Sequence, residues 1–306
     1  MVEIIEVKSK KQIKQFIEFP LNLYKNNEFF VPPLYADEKA MFKSTYHYYG
    51  QAKSVFYNAY KNGKMVGRIQ GILSYASNEK WNQKRIRFTR FDSINDPEVA
   101  TALFNAVENW GRENGMNEIV GPLGFSDLER EGLLIEGFDE LSTFEEQYNY
   151  DYYPTLIENL GFKKEVDWLE RQLRAPKVLD DRLERISSMM LKKYNLTVVK
   201  PKSVSKFLKK YGDDFFDIIE KTYADLYQTV PFTEEIKREV INSFKLVVNP
   251  KFLIVVVDEN DKVVCFGIAI PSLAKAVQKS GGRLTLPTII KILKAVKNPK
   301  VIDLAL

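Results

Sequence analysis

Two stretches of the chain read as copies of one unit, and this repeat restricts the fold more than any other feature. The first is an apolar run over 55–60, an Asn62-Gly63 turn and a second run over 65–75. The second is a run over 252–257, a turn of Asp258, Glu259, Asn260 and Asp261, and a run over 263–271. Asn-Gly between β-rich runs is a strong short-range hairpin signal, and an Asp/Asn-rich loop between such runs is a fair one. Aligning Lys64-Met65-Val66 with Lys262-Val263-Val264 sets Cys265 on Gly67. Each hairpin follows a helical region and leads to a further apolar strand, over 86–91 in the first half and 301–306 in the second. An amphipathic helix follows the first of these strands. The sequence stops at the second, so the second module is expected to be short at its C-terminus.

At 306 residues the length fits about two domains. Hydrophobic residues at 45% and charged residues at 28% suit a globular chain and argue against disorder. No apolar run approaches the roughly 20 residues needed to cross a bilayer. The first residues lack an apolar core with a small-residue cleavage site, so no signal peptide is read and a cytoplasmic location is expected. Cys265 is the single cysteine and His47 the single histidine. These counts leave no disulfide framework, no Cys-rich or multi-His metal site and no Ser/His/Asp machinery. Cys265, in a strand with no histidine beside it, is expected to be buried and inert. Gly281-Gly282-Arg283 lacks the Gly-Lys-Ser/Thr continuation of a nucleotide-triphosphate loop.

The net charge of +4 hides an asymmetry. From Pro176 onward there are 23 Lys/Arg against 15 Asp/Glu, and before it 22 against 26. Such a basic half favours a polyanion or a phosphate-bearing cofactor, or is the solvated face of Lys-rich helices. The lysines are dispersed rather than interleaved with aromatics, which supports the second reading. Neither a nucleic acid nor a membrane is expected as a partner.

The order of elements is a strand over 3–7, a helix capped by Ser9 and running from Lys10 to about residue 25, a short helix over 37–42, the hairpin, and the strand over 86–91. Next comes a helix opened by Asn95-Asp96-Pro97-Glu98, with Val99, Leu103, Ala106, Val107 and Trp110 as its apolar stripe and Gly115 as its stop. Trp110 is therefore expected in the core. A strand over 118–125, an acidic loop over 126–150, a short helix over 152–160 and a strand over 168–173 complete the first half. After Ala175-Pro176 the chain runs strand (196–199), two helices (213–227 and 233–247), hairpin, helix (287–297) and strand. Helices alternating with strands around an antiparallel hairpin indicate a mixed α/β sheet. The expected division is 1–175 and 176–306.

This order, with VPPLYADEKAMF, GLLIEGFDE and YYPTLIENLGF, resembles the GCN5-related N-acetyltransferase (acyl-CoA N-acyltransferase) superfamily, in a bacterial branch with two modules in tandem. The resemblance covers nearly the whole chain. It implies that the strands over 86–91 and 118–125 run parallel and part at their C-terminal ends. It further implies acetyl-CoA or another acyl-CoA as co-substrate, a small-molecule amine as acceptor, and no metal. The cofactor contacts it implies are Phe91 and Asp92 at the strand end, and Asn95 and Ala100 in the turn that follows.

In that turn a Gln/Arg-x-x-Gly-x-Gly/Ala pattern offers backbone N–H groups at a helix N-terminus to the pyrophosphate. Only Ala100 fits well here. Glu98 stands at the first glycine, beside Asp96, and Pro97 removes one N–H. An ordinary capped helix is the simpler reading, and weak or absent acetyl-CoA binding at this turn is expected. The acidic loop offers Glu129, Glu131 or Glu136 to orient or deprotonate an amine, and also reads as merely solvated. Tyr153, one helical turn before the usual tyrosine position at Ile157, is the candidate thiolate donor or else a packing residue. Tyr46, His47, Tyr48 and Tyr49 read as packing against the hairpin.

The expected function is acyl transfer from a CoA thioester to an amine. The alternative is a non-catalytic module that binds a ligand or partner through the same cleft.

Overall fold

The computed structural model describes residues 1–304, without the side chains of residues 244 and 246. The chain forms two compact units. The first takes Met1–Lys164 together with two later segments, Leu226–Pro231 and Leu273–Ala295. The second takes Glu165–Asp225, Phe232–Ser272 and the chain from Val296.

In the first unit β1 (Val2–Glu6) leads to Ser9, whose side chain accepts from Gln12 N–H while the Gln12 side chain accepts from Ser9 N–H. This reciprocal cap opens α1 (Lys10–Leu23), which buries Phe16, Ile17 and Phe19. After α2 (Tyr35–Ala40), β2 (Ala52–Lys61) and β3 (Lys64–Ser74) form the predicted hairpin. Asn62 and Gly63 both have positive φ, as a primed two-residue turn requires. Then follow α3 (Tyr75–Lys80), β4 (Arg85–Ser93), α4 (Pro97–Glu113), β5 (Glu118–Val120) and α5 (Tyr153–Glu158).

The sheet order is β1-β2-β3-β4-β5, antiparallel except for the parallel β4–β5 pair. On one face α4 buries Val99, Leu103, Phe104 and Val107 against Ile69, Ile86, Phe88 and Phe91. Trp110 is only half-buried and packs at the edge of this core, over the β3 backbone at Gly71. Phe104 takes the deeper position.

The second unit contains α6 (Asp181–Lys193), β6 (Thr197–Val199), α7 (Val204–Thr222), α8 (Glu234–Val247), β7 (Leu253–Val257), β8 (Val263–Pro271) and β9 (Ile302–Leu304). Its sheet, β6-β7-β8-β9, is antiparallel throughout, and α7 packs Phe207, Phe215 and Ile219 against it. The repeat holds at the level of register. In the first hairpin a bulge falls between the pairs Ala59–Gly67 and Tyr60–Met65, and in the second between Val256–Cys265 and Val257–Val263. Cys265 thus occupies the slot of Gly67.

Several expectations are corrected. Residues 168–173 form no strand, and Trp168, Leu169 and Leu173 are exposed. Apolar residues there lack a neighbouring strand to satisfy the backbone. The strand over 118–125 stops at Val120, because Pro122 has no N–H to pair. Cys265 is exposed rather than buried. A side chain at Gly67 would meet Val99 and Leu103 of α4, whereas Cys265 in the matching slot is open to solvent. The helices α3 and α6 were not anticipated. Of the strand expected over 301–306, residues 305 and 306 lie outside the described residues.

Both late segments of the first unit are held by specific contacts. Arg87 Nη2 donates to Gln228 O at 2.7 Å and Trp81 Nε1 donates to Thr229 O at 3.0 Å. Further on, past α9 (Ala274–Val277), Gln278 Nε2 donates to Glu28 O and Tyr35 N donates to Gly282 O at 3.0 Å. Arg283 pairs with Glu18 at 2.7 Å and lies over the Tyr35 ring. The segment ends in α10 (Leu286–Lys297), which belongs to this unit as far as Ala295.

Gly282 has φ +73, and a Cβ there would stand 1.9 Å from Pro33 O. Gly282→Ala must therefore displace backbone. A loss of roughly 2–4 kcal/mol in denaturant unfolding is expected, with faster hydrogen exchange at Tyr35 N–H. An unchanged unfolding midpoint would show that this contact does not hold the segment.

Candidate functional site

The pairing of β4 with its neighbours breaks on both sides in the same stretch. Towards β3 the register runs Arg68–Asp92 and then Gln70–Thr89, so one extra residue is inserted in β4. Arg90 carries the distortion at φ +49, left-handed for a non-glycine residue. The inserted residue shifts the alternation, so that Phe91 enters the α4 core while Asp92 comes to face Arg68. Towards β5, ladder pairing ends at Arg87–Val120 and a last backbone bond runs from Leu123 N to Phe88 O. β4 continues to Ser93 without a further backbone bond on that side among the described residues.

A buried ionic network occupies this place. Arg68 Nε lies 2.8 Å from Asp92 Oδ2 and Arg90 Nε 2.9 Å from Glu38 Oε1, while Arg68 Nη1 lies 3.4 Å from Glu38 Oε2. Arg90 Nη1 also donates to Gln70 Oε1, and Arg68 Nη1 to Phe16 O. Burial alone would raise the Glu38 carboxyl, but Arg90 and Arg68 outweigh it and hold it below the ordinary carboxylate range. Burial likewise disfavours the Arg90 cation, and Glu38 and Glu129 more than compensate.

Tyr24 OH lies 3.0 Å from Asp92 Oδ1 and 2.9 Å from Tyr153 OH, and Ser93 N–H donates to Tyr153 OH at 3.0 Å. Burial, then Asp92, raise both tyrosines well above their usual range. The cavity beside this network is about 30 Å³, lined by Glu38, Arg68, Arg90, Asp92 and Arg130 among others. That is space for about one or two waters and not for an acyl chain.

The loop after β5 packs onto the same region. Glu129 accepts from Phe125 N at 2.6 Å and from Tyr46 OH at 3.1 Å, so both of its oxygens are engaged. Tyr48 stacks on Phe125 at 5.2 Å and Tyr49 OH contacts Ser54 Oγ, so the tyrosine cluster packs on this loop as well as on the hairpin. Glu131 belongs to a second group with Asp127 and Arg87. It is half-buried, and burial first, then the Asp127 charge, push its carboxyl up to about 8. Burial also raises Asp127 and pulls the Arg87 guanidinium down to about 10. Glu136 is exposed.

The other candidates lie apart from these groups. Phe91 and Ala100 are buried in the α4 core and Asn95 is exposed. At the start of α4, Asp96 caps the helix by accepting from Glu98 N. Lys61 Nζ bridges Asp96 and Glu98 at 2.7 and 2.8 Å, and these two partners raise its pKa to about 12. The donors and the charge that a pyrophosphate would use are already satisfied, so the turn does not fit the group. Sequence reading missed Tyr24, Glu38, Arg68 and Arg90. Arginines inside otherwise apolar strands were the available signal, since such a residue is buried only with a partner.

No family model matches the chain. It is 26% identical over 284 residues to Protein YghO of Escherichia coli K12, which spans 90% of this chain and 70% of that protein. It is 24% identical over 264 residues to the bacterial ceramide synthase of Caulobacter vibrioides, spanning 82% and 65%. The matches thus extend over about two thirds of the length of these curated relatives. Among solved structures it resembles a tandem GNAT protein of the clavulanic acid biosynthesis pathway, at TM-score 0.46 and 9% identity over 88% of this chain and 74% of that one. It also resembles an aminoglycoside acetyltransferase from an uncultured soil metagenomic sample, at 0.35 and 11% over 57% and 96%. Both are acetyltransferase-type structures, of the superfamily the sequence resembles. At TM-scores below 0.5 they decide nothing further, and the strand order and register described above define the fold.

Two measurements follow. Lys61→Glu would repel a pyrophosphate seated at α4, so calorimetric titration with acetyl-CoA should give the same result, within about twofold, for this variant and the parent chain; a loss of about tenfold would place the pyrophosphate at this turn. Glu131 supplies the second. Its folded pKa lies above the unfolded value, so its contribution declines as pH rises from about 4.5 to about 8. Glu131→Gln removes that dependence and should raise the melting temperature relative to the parent at pH 8 while leaving the two equal below the unfolded pKa. Equal curves at both pH values would show that Glu131 titrates normally.

Proposed function

We propose that the protein is an N-acyltransferase and that the first unit serves its amine acceptor. The observation that carries this reading is Glu131, a half-buried carboxyl held near pKa 8 in the loop that leaves β5 where β4 and β5 part. Gly132 N–H donates to Pro122 O at 2.8 Å and fixes the backbone beside it. A base with a pKa near the working pH combines availability with driving force. An amine acceptor reaches solution as an ammonium ion, and ionised Glu131 takes one proton so that the lone pair is free to attack the thioester carbon; the C–N bond forms as the C–S bond breaks, and the thiolate leaves as the thiol with the second proton that the nitrogen gives up. Glu129 and Tyr153 hold the loop and the β4 end, rather than exchanging protons with substrate.

The acyl donor is not held at the α4 turn. In the second unit, register matches Leu304 to Phe88, so β9 is the counterpart of β4. We assign donor binding to that second module and route no step through it. Similarity to a ceramide synthase supports testing a long-chain amino alcohol as acceptor, since a ceramide is the amide of such an amine.

A second reading is favoured by the Lys61 clamp, which closes the α4 turn to a pyrophosphate: a non-catalytic unit that binds a ligand through the same region. Thiol release from palmitoyl-CoA in the presence of sphinganine separates the two. For the enzyme, Glu131→Gln should lower kcat by about 10²-fold or more and remove the pH limb near 8. Absence of thiol release, with a melting-temperature rise on adding the amine, would support the binding protein instead. Unchanged kcat in Glu131→Gln would remove this residue from the mechanism.

A further inference from the structure

The chain between Lys262 and Ile302 carries eight cationic side chains and no acid. Within it α10 is folded with its apolar side outward. Thr288, at 3% exposure, faces inward, with Ile292 and Ala295 half-buried on the same side. Leu286, Ile289, Ile290 and Leu293 form the outward ridge, at 79%, 39%, 53% and 61% exposure. At 100° per residue these four lie within one stripe, with Lys291 and Lys294 along its flank and Lys297 in line at its end. A helix of a globular unit ordinarily turns such a stripe to the core.

The inversion is fixed by what precedes the helix. Thr285 O accepts from Ile289 N, and Thr285 Oγ1 accepts from Thr288 N and contacts its hydroxyl. Upstream, Gly282 and Arg283 are locked to Tyr35 and Glu18. The ridge therefore sits on an anchored platform.

We infer that α10 docks this protein on an anionic phospholipid surface, with the Leu/Ile ridge entering the acyl boundary and the lysines meeting lipid phosphates. Three features favour a bilayer over a protein partner. The ridge has no aromatic residue and its rim is lysine, whereas protein interfaces are enriched in aromatics and arginine and depleted in lysine. Lysine stems reach past buried aliphatic neighbours to headgroup phosphates. The helix has 12 residues, about 18 Å long, and no described helix is long and apolar enough to cross a membrane, so it lies in the interface. The amphipathic helix α6 also exposes Leu183, Ile186 and Met189, but it begins with Asp180, Asp181 and Glu184 and lacks this acid-free surround. It serves as the internal control.

The test is flotation of the full chain with vesicles of phosphatidylcholine alone and with about 30 mol% phosphatidylglycerol, at about 0.1 M and about 0.5 M salt. Binding to anionic vesicles is expected to exceed binding to neutral ones by about tenfold and to fall at high salt. Leu286→Ser/Ile290→Ser/Leu293→Ser and, separately, Lys291→Gln/Lys294→Gln/Lys297→Gln should each lower it by about tenfold, with melting temperatures unchanged because these side chains are exposed. The α6 variant Leu183→Ser/Ile186→Ser should bind as the parent does. Failure of the parent chain to float with anionic vesicles would overturn the inference. So would equal loss in the α6 variant, or a concentration-dependent dimer in light scattering that the ridge variant abolishes while vesicle binding is absent.

Discussion

The first unit depends on a buried set of four charges. Glu38 of α2 holds Arg90 and Arg68, and Arg68 holds Asp92, so the set ties α2 to β3 and β4. Taken as a set the four are neutral, and each is satisfied by another or by a backbone or amide oxygen. Removing one partner would leave an uncompensated buried ion, which costs roughly 3–5 kcal/mol, although the intact network need contribute little net stability. Its consequence is conformational. Arg90 occupies a left-handed backbone position that a non-glycine residue reaches at a cost of about 1–3 kcal/mol, and its guanidinium is tied to Glu38, Gln70 and, more distantly, Glu129. The bulge puts Asp92 opposite Arg68, and the Arg68–Asp92 pair in turn fixes the bulge.

That mutual dependence sets the character of the candidate site. The end of β4 is already neutralised, with Ser93 N–H committed to Tyr153 OH and Asp92 committed to Arg68. The α4 turn is closed in the same manner by Lys61. Around Glu131, by contrast, burial and then the neighbouring Asp127 push the carboxyl up to about 8. In the proposed function, fixed charge in this unit positions the backbone and Glu131 exchanges protons with the acceptor.

Much of the fold was legible because its signals are local. The Asn62-Gly63 turn, the capped start of α4 and the apolar runs of β2 and β3 each depend on residues a few positions apart. The alignment of Cys265 with Gly67 therefore matches the observed register. The failures concern neighbours that are distant in sequence. Nothing near residue 228 announces that Gln228 will accept from Arg87, or near residue 283 that Arg283 will pair with Glu18. The bulge at Arg90 is likewise invisible locally, since Thr89, Arg90 and Phe91 are compatible with an unbroken strand. Of the site, Glu131 and Glu129 were named from the loop's acidity, but only tertiary packing separates the engaged carboxylate from the perturbed one.

The repeat shows why apolar pattern overstates burial. Register places Phe88 and Leu304 in the same slot of their sheets, as it does Gly67 and Cys265. Phe88 is fully buried, whereas Leu304 is 72% exposed. Phe88 owes its burial to α4 above it, through Phe104 at 4.8 Å, and to Phe162 at 5.5 Å. Burial is thus a property of what crosses the strand rather than of the strand itself. An apolar residue at a repeated position records the topology both copies share, and says nothing about whether a helix lies over it. The ridge of α10 extends the same point to helices: its 3.6-residue periodicity identifies a stripe correctly, and only the anchoring at Gly282 and Arg283 determines which way that stripe faces.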